Sequence, residues 1–260
     1  MSRLGDVFKN KKAFIPFITA GDPNLETTER LVLAMAAAGA DLIELGMPFS
    51  DPIAEGPVIQ AADERALSSG TTTDKIFDVV RRIRAKTAVP LAFMTYINPI
   101  FAYGTKRFLQ NCRDTGIDAV IVPDLPFEEK GEIGPMCQTY GVALISLIAP
   151  TSDDRIAMIA REAEGFVYVV SSLGVTGVRQ EIVTDLGAMI GAVKKANDIP
   201  CAVGFGISTP EQAREISKLS DGVIVGSAIV KIVAQYGEQA EEPVRDYVRR
   251  MKSALVGNED

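Results

Sequence analysis

AAGADLIEL at residues 37–45, DTGIDAVIV at 114–122 and TYGVALISL at 139–147 share one plan: a helix end, a glycine, then an apolar run. The glycine supplies the left-handed residue that ends a helix. The run that follows is almost continuously apolar, as in a strand buried on both faces of a parallel sheet. Outward from these junctions, further runs occur at Phe14–Ile18, Leu42–Leu45, Leu91–Thr95, Ala119–Val122, Ala143–Ile148, Phe166–Val170, Cys201–Gly204 and Val223–Val225. Helical spacing separates them: Ile76, Val79, Val80 and Ile83 fall at i, i+3, i+4 and i+7 behind a Thr-rich start at Thr71–Thr73. Val244, Tyr247, Val248, Met251 and Leu255 repeat the pattern near the end. Eight such βα modules in 260 residues fit a closed (β/α)8 TIM barrel better than an open doubly wound sheet, although counting alone leaves the second open. The first ~10 residues read as an added N-terminal helix capping the barrel bottom. No linker or low-complexity stretch divides residues 1–260, which predicts a single domain.

Composition narrows the chemistry. A net charge of −7 without a long basic run disfavours nucleic-acid binding. The longest apolar stretches fall short of the ~20 residues that span a bilayer, and no targeting segment is visible. Three widely spaced cysteines, never as CxxC, fit reduced thiols in a cytoplasmic protein. The chain has no histidine, so Ser-His-Asp catalysis and imidazole metal sites are excluded. Acid–base work falls to carboxylates, lysine or tyrosine.

In a barrel the active site lies at the C-terminal ends of the strands. The residues there are Thr19–Asp22, Glu44, Tyr96, Asn98, Asp124, Pro150, Thr151, Ser171–Gly177, Gly204–Ser208, Gly226 and Ser227. GVTG at 174–177, GFGIS at 204–208 and GS at 226–227 follow the last three strands. Glycines admit a ligand close to backbone N–H groups, and a helix start presents free donors, so phosphate binding is expected there. The plainer alternative is tight βα turns, with Ser208, Thr209, Pro210 and Glu211 as a helix cap. Glu44 closes an apolar strand, where desolvation should raise its pKa and suit it to carrying a proton; an internal ion pair would explain it equally. Glu55 sits in a loop where most carboxylates are simply solvated. Asp51 and Asp124 read as loop caps, and Tyr96 and Tyr168 as pocket or packing aromatics. No lysine stands at a strand end, Lys231 being the nearest, which argues against a Schiff-base aldolase. Metal-free acid–base chemistry on a phosphorylated substrate survives.

FIPFITAGDP from Phe14, ELGMPFSDPIAEGPVIQ from Glu44, MTYINPIFAYG from Met94, VPDLPFEE from Val122, IAPTSDDRI from Ile148, SSLGVTGVR from Ser171, VGFGIS from Val203 and GSAIVKI from Gly226 together resemble the tryptophan synthase α subunit family. The resemblance runs from about Leu4 to the C-terminal helix. It implies a lyase of tryptophan biosynthesis that cleaves indole-3-glycerol phosphate to indole and glyceraldehyde 3-phosphate by a retro-aldol step without metal or cofactor. By the same resemblance Glu44 is the catalytic acid–base, and Glu55 the catalytic carboxylate facing the indole nitrogen. Thr176 contacts that loop when a lid over Gly174–Arg179 closes. Gly177, Gly206, Gly226 and Ser227 hold phosphate, and Phe17, Tyr96, Tyr168 and Phe205 line the indole pocket. The family works as an α2β2 heterotetramer, which implies a pyridoxal-phosphate β subunit as partner, contacted through Pro48, Asp51, Asp124 and Pro126. Two positions depart from familiar members: Glu55 stands for Asp, and Ser172 for Arg. Another phosphate-binding barrel of the same pathway, or a catalytically weak activator of a β subunit, are the competing readings.

Overall fold

The structure, a computed structural model, describes residues 3–170, 179–204 and 206–255, and leaves the side chains of 179–185 undescribed. Within these residues the strands are β1 (Ala13–Thr19), β2 (Ile43–Gly46), β3 (Leu91–Met94), β4 (Ala119–Ile121), β5 (Ala143–Ile148), β6 (Val167–Val170), β7 (Cys201–Gly204) and β8 (Gly222–Val225). They pair in parallel in chain order, and β8 returns to β1, closing the barrel. The helices are α1 (Leu25–Ala37), α2 (Pro57–Ser68), α3 (Thr73–Arg84), α4 (Ile97–Tyr103), α5 (Thr105–Thr115), α6 (Gly134–Tyr140), α7 (Asp153–Arg161), α8 (Arg179–Ala196), α9 (Pro210–Ser217), α10 (Ser227–Tyr236) and α11 (Glu241–Leu255). No helix among the described residues is long and apolar enough to cross a membrane.

Alternation along the strands separates two cores. Ala13, Ile15, Leu42, Ala92, Ala119, Ile121, Ile145, Tyr168, Ala202 and Ile224 fill the barrel interior. Their neighbours Phe14, Ile43, Leu45, Phe93, Val120, Val169, Val203 and Val225 pack outward under the helices. That parity puts Glu44, two residues past Leu42, on the inward face. The added N-terminal helix is one 3-10 turn, Arg3–Asp6, and Leu4 and Val7 join the interior core at the end opposite the loops described below.

Helix starts follow local chemistry. Thr72 caps α3 by accepting from the Lys75 N–H, and Thr209 with Gln212 makes a reciprocal capping box at α9. The predicted apolar stripes of α3 and α11 are buried. Cys112, Cys137 and Cys201 are buried free thiols. α2 is tied to the end of β1 by Arg65, which donates twice to Asp22 at 2.8 Å. α11 reaches the β7 end, where the Tyr247 hydroxyl donates to the Ser208 carbonyl at 2.8 Å. Both ties hold loops at the barrel mouth.

Candidate active site

Glu44 has Phe17 of β1 and Ala92 of β3 as its register partners, deep in the upper barrel. It is 0% exposed, and neither carboxyl oxygen has a hydrogen-bond partner among the described residues. Among the described residues no ion pair reaches Glu44, which favours the desolvated reading over the internal ion pair. Burial alone pushes its pKa from 4.5 up to about 8, so near neutrality it holds a proton. Burial, and after it the charge of the nearby Glu44, raises the pKa of the Tyr168 hydroxyl.

Above Glu44 opens a cavity of about 510 Å3, whose wall includes Phe17, Glu44, Glu55, Met94, Tyr168, Gly206, Ile224, Gly226, Ser227 and Lys231. An adjoining cavity of about 430 Å3 shares Ala54, Glu55, Met94 and Tyr168 with it and continues along Val122, Leu125, Pro126 and Leu147. Two of the ring walls exist because strand-end glycines leave room. A side chain at Gly46 would overlap the Phe17 ring, and one at Gly204 the Tyr168 ring; Gly226 also lies against Phe17. These glycines shape the aromatic wall, a use that tight turns and phosphate approach do not cover.

Opposite Glu44, Gly226 caps α10 without a side-chain hydrogen bond, and Ser227 and Ala228 face the cavity at its first turn. N–H groups at these positions have no intrahelical acceptor, which makes the site receptive to an anion. Gly206, with φ +72°, stands beside them. Lys231 lies one turn further along α10, its charge on the same wall. The sequence reading had passed over it because it lies within a helix, yet i+4 from Ser227 is the same helix face.

Glu55 lines both cavities from the loop between β2 and α2, and Gln60 donates to its carbonyl at 2.8 Å. Tyr96 stands behind this loop rather than in the wall: its hydroxyl accepts from the Ala54 N–H at 3.0 Å, and its ring meets Phe49 at 5.4 Å. Behind Glu55 lies Asp63, a buried carboxyl that strand-end reasoning missed. A signal was present, since Asp63 falls on the buried stripe of α2 with Ile59, Ala62 and Ala66. Asp124 accepts from the Ile97 N–H at 3.0 Å and so caps α4, as its loop position predicted. Pro48 is half-buried, while Asp51 and Pro126 are exposed on the same rim. Thr176, Gly177, Phe205 and Ser172, with the proposed lid, lie outside the described residues. No group of three or more His, Cys, Asp or Glu side chains among the described residues is placed to hold a metal ion.

A closed (β/α)8 barrel, with a neutral buried carboxyl on one side of its mouth and an anion-receptive helix start on the other, is the framework of an acid–base enzyme for phosphorylated substrates. The family described as Tryptophan synthase alpha chain matches residues 6–256. The chain is 51% identical to the tryptophan synthase alpha chain of Lactiplantibacillus plantarum, over 99% of this chain and 97% of that one. With the Lacticaseibacillus casei protein of the same name it shares 49%, over 98% and 96%. The solved tryptophan synthase subunit alpha of Legionella pneumophila superposes with a TM-score of 0.90 at 36% identity, over 98% of this chain and 99% of that one. A chain from the tryptophan synthase α2β2 complex of Pyrococcus furiosus gives 0.85 at 37%, over 93% and 98%. The chain belongs to the tryptophan synthase alpha chain family.

Proposed function

We propose that this chain is the indole-3-glycerol-phosphate lyase half of a tryptophan synthase, releasing indole and glyceraldehyde 3-phosphate. The observation that carries the reading is Glu44: fully buried, unpartnered and protonated near neutrality, on the wall of a cavity whose far side receives an anion. The phosphate rests on the N–H groups around Gly226, Ser227 and Gly206, and the Lys231 ammonium offsets its charge. The indole ring then lies between Phe17 and Tyr168, and Tyr96 braces the Glu55 loop from behind.

Glu44 gives its proton to C3 of the indole, and the ring nitrogen takes up the positive charge. The Glu55 carboxylate faces that N–H and stabilises the indolenine. The Glu44 carboxylate so formed removes the proton from the side-chain hydroxyl adjacent to the breaking bond. A C=O forms, the C–C bond breaks, and its electron pair returns to the ring, restoring indole. Protons and electrons balance without an oxidant or a metal, so the reading requires no cofactor on this chain; pyridoxal phosphate belongs to the β subunit.

The partner in this reading is a β subunit docked on the mouth-side loops through Pro48, Asp51, Asp124 and Pro126. Ile53, 80% exposed on the loop after β2, and Phe101, 47% exposed on α4, supply the apolar part of that surface. Membership in the family supports the assignment, as does similarity to a chain of an α2β2 complex. The test is Glu44→Gln with indole release measured: a drop of about 10²–10⁴-fold is expected of a lost general acid–base. Turnover close to that of the unsubstituted chain would remove the assignment.

A further inference from the structure

The mechanism uses Glu44 and Glu55 and leaves a third mouth-side carboxyl without a role. Asp63 is 3% exposed, held in place by the Arg65–Asp22 tie that anchors α2 to the end of β1. Its surroundings come from four elements. β1 brings the Thr19 hydroxyl, the loop after β2 brings Glu55 and the Phe49 N–H, the end of β3 brings Tyr96, and α10, packed on α2, brings Lys231 at the cavity wall. Arg65, the cation of α2, is already committed to Asp22, and no ion pair reaches Asp63 or Glu55 among the described residues. Among the described residues the buried oxygens Thr19 Oγ1, Glu55 Oε2 and Asp63 Oδ2 have no donor paired to them. Two ionised carboxylates can only accept, so side by side they repel and satisfy nothing. With one proton between them they form a strong O–H···O hydrogen bond.

We propose that Asp63 is the positioning residue of Glu55: protonated, it donates to the Glu55 carboxylate and fixes that side chain at the cavity wall, the pair carrying one proton and one negative charge. The proton resides on Asp63 because that group is the more deeply buried, whereas Glu55 opens on the cavity and lies near the Tyr96 hydroxyl. Burial and the adjacent Glu55 charge act in the same direction, pushing Asp63 up to about 8. Without this contact, Glu55 is a flexible side chain between the exposed residues Ala54 and Gly56. The service rendered to the indole nitrogen rests on the proposed function; the shared proton does not.

Infrared titration of the whole chain separates the two, because the carbonyl stretch of a protonated carboxyl is read without substrate. At about pH 7 two buried protonated carboxyls are expected, one removed by Glu44→Gln and the other by Asp63→Asn. In Glu55→Gln the like charge is gone, and the Asp63 titration should fall by about one unit or more. An Asp63 already ionised at about pH 6.5, or a titration that moves by less than about 0.3 unit in Glu55→Gln, overturns the pair. In indole release, Asp63→Ala should lower kcat about tenfold with KM little changed, and Asp63→Asn, whose amide still donates, should recover most of the loss. Equal losses in both variants overturn the positioning role. The infrared pattern in a chain that releases no indole would uphold the pair and remove the proposed function instead.

Discussion

Glu44 illustrates how one residue sets a pH dependence. Its carboxyl is raised from 4.5 to about 8 by burial, so the folded state keeps a proton that the unfolded chain releases across that window. The stabilisation is complete below the unfolded value and is lost as pH rises toward about 8. Urea unfolding should therefore show stability falling on the order of a few kcal/mol from acid to mildly alkaline pH, with a shallower slope in Glu44→Gln. A slope unchanged by that substitution would contradict the assignment of the buried proton. Gly204 offers a second test at this scale. Adding one methyl group forces the Tyr168 ring to move, so Gly204→Ala should cost about 1–3 kcal/mol in thermal unfolding and raise KM as the aromatic wall shifts. Neither effect would be expected if Gly204 served only a turn.

Among elements, the strand pattern was legible because burial on both faces leaves a continuous apolar run: Ala143–Ile148 and Cys201–Gly204 are strands over the lengths that the runs predict. Capping was equally legible at Thr72 and Thr209, where the chemistry is local. What escaped depends on contacts distant in sequence. Tyr96 was expected in the pocket, and only the folded loop shows it bracing Ala54 instead. Asp63 lies within a helix that begins after the mouth loop, and strand-end reasoning does not reach it. Lys231 was set aside for the same reason, although its spacing from Ser227 placed both on one face. Two element-level outcomes follow. Thr209→Ala should lower stability by about 1 kcal/mol through loss of the capping box, measured by thermal unfolding. Lys231→Ala should raise KM for the phosphorylated substrate several-fold while leaving kcat within about twofold, since a rim ammonium binds ground and transition states alike. A selective kcat loss would place Lys231 in the chemistry instead.

For the whole molecule, the mouth combines a cavity with an exposed rim, so in the proposed function one face would serve both substrate and partner. Ile53→Asp should leave the basal indole release of the isolated chain intact and weaken stimulation by a β subunit, read as a higher β concentration for half-maximal activity. Unchanged stimulation would move the docking surface elsewhere. The protonated carboxyls at the mouth also bear on how substrate arrives. A phosphate ester must approach a protein of net charge −7 and enter a cavity near Glu44, Glu55 and Asp63. Were all three ionised, their field would oppose the incoming dianion throughout the encounter. With protons held on Glu44 and Asp63 a single negative charge remains, facing Lys231 and the α10 start across the cavity. The resting protonation state thus makes the mouth permissive to an anion, and above about pH 8, where those protons leave, capture of substrate should slow even before the chemical step fails.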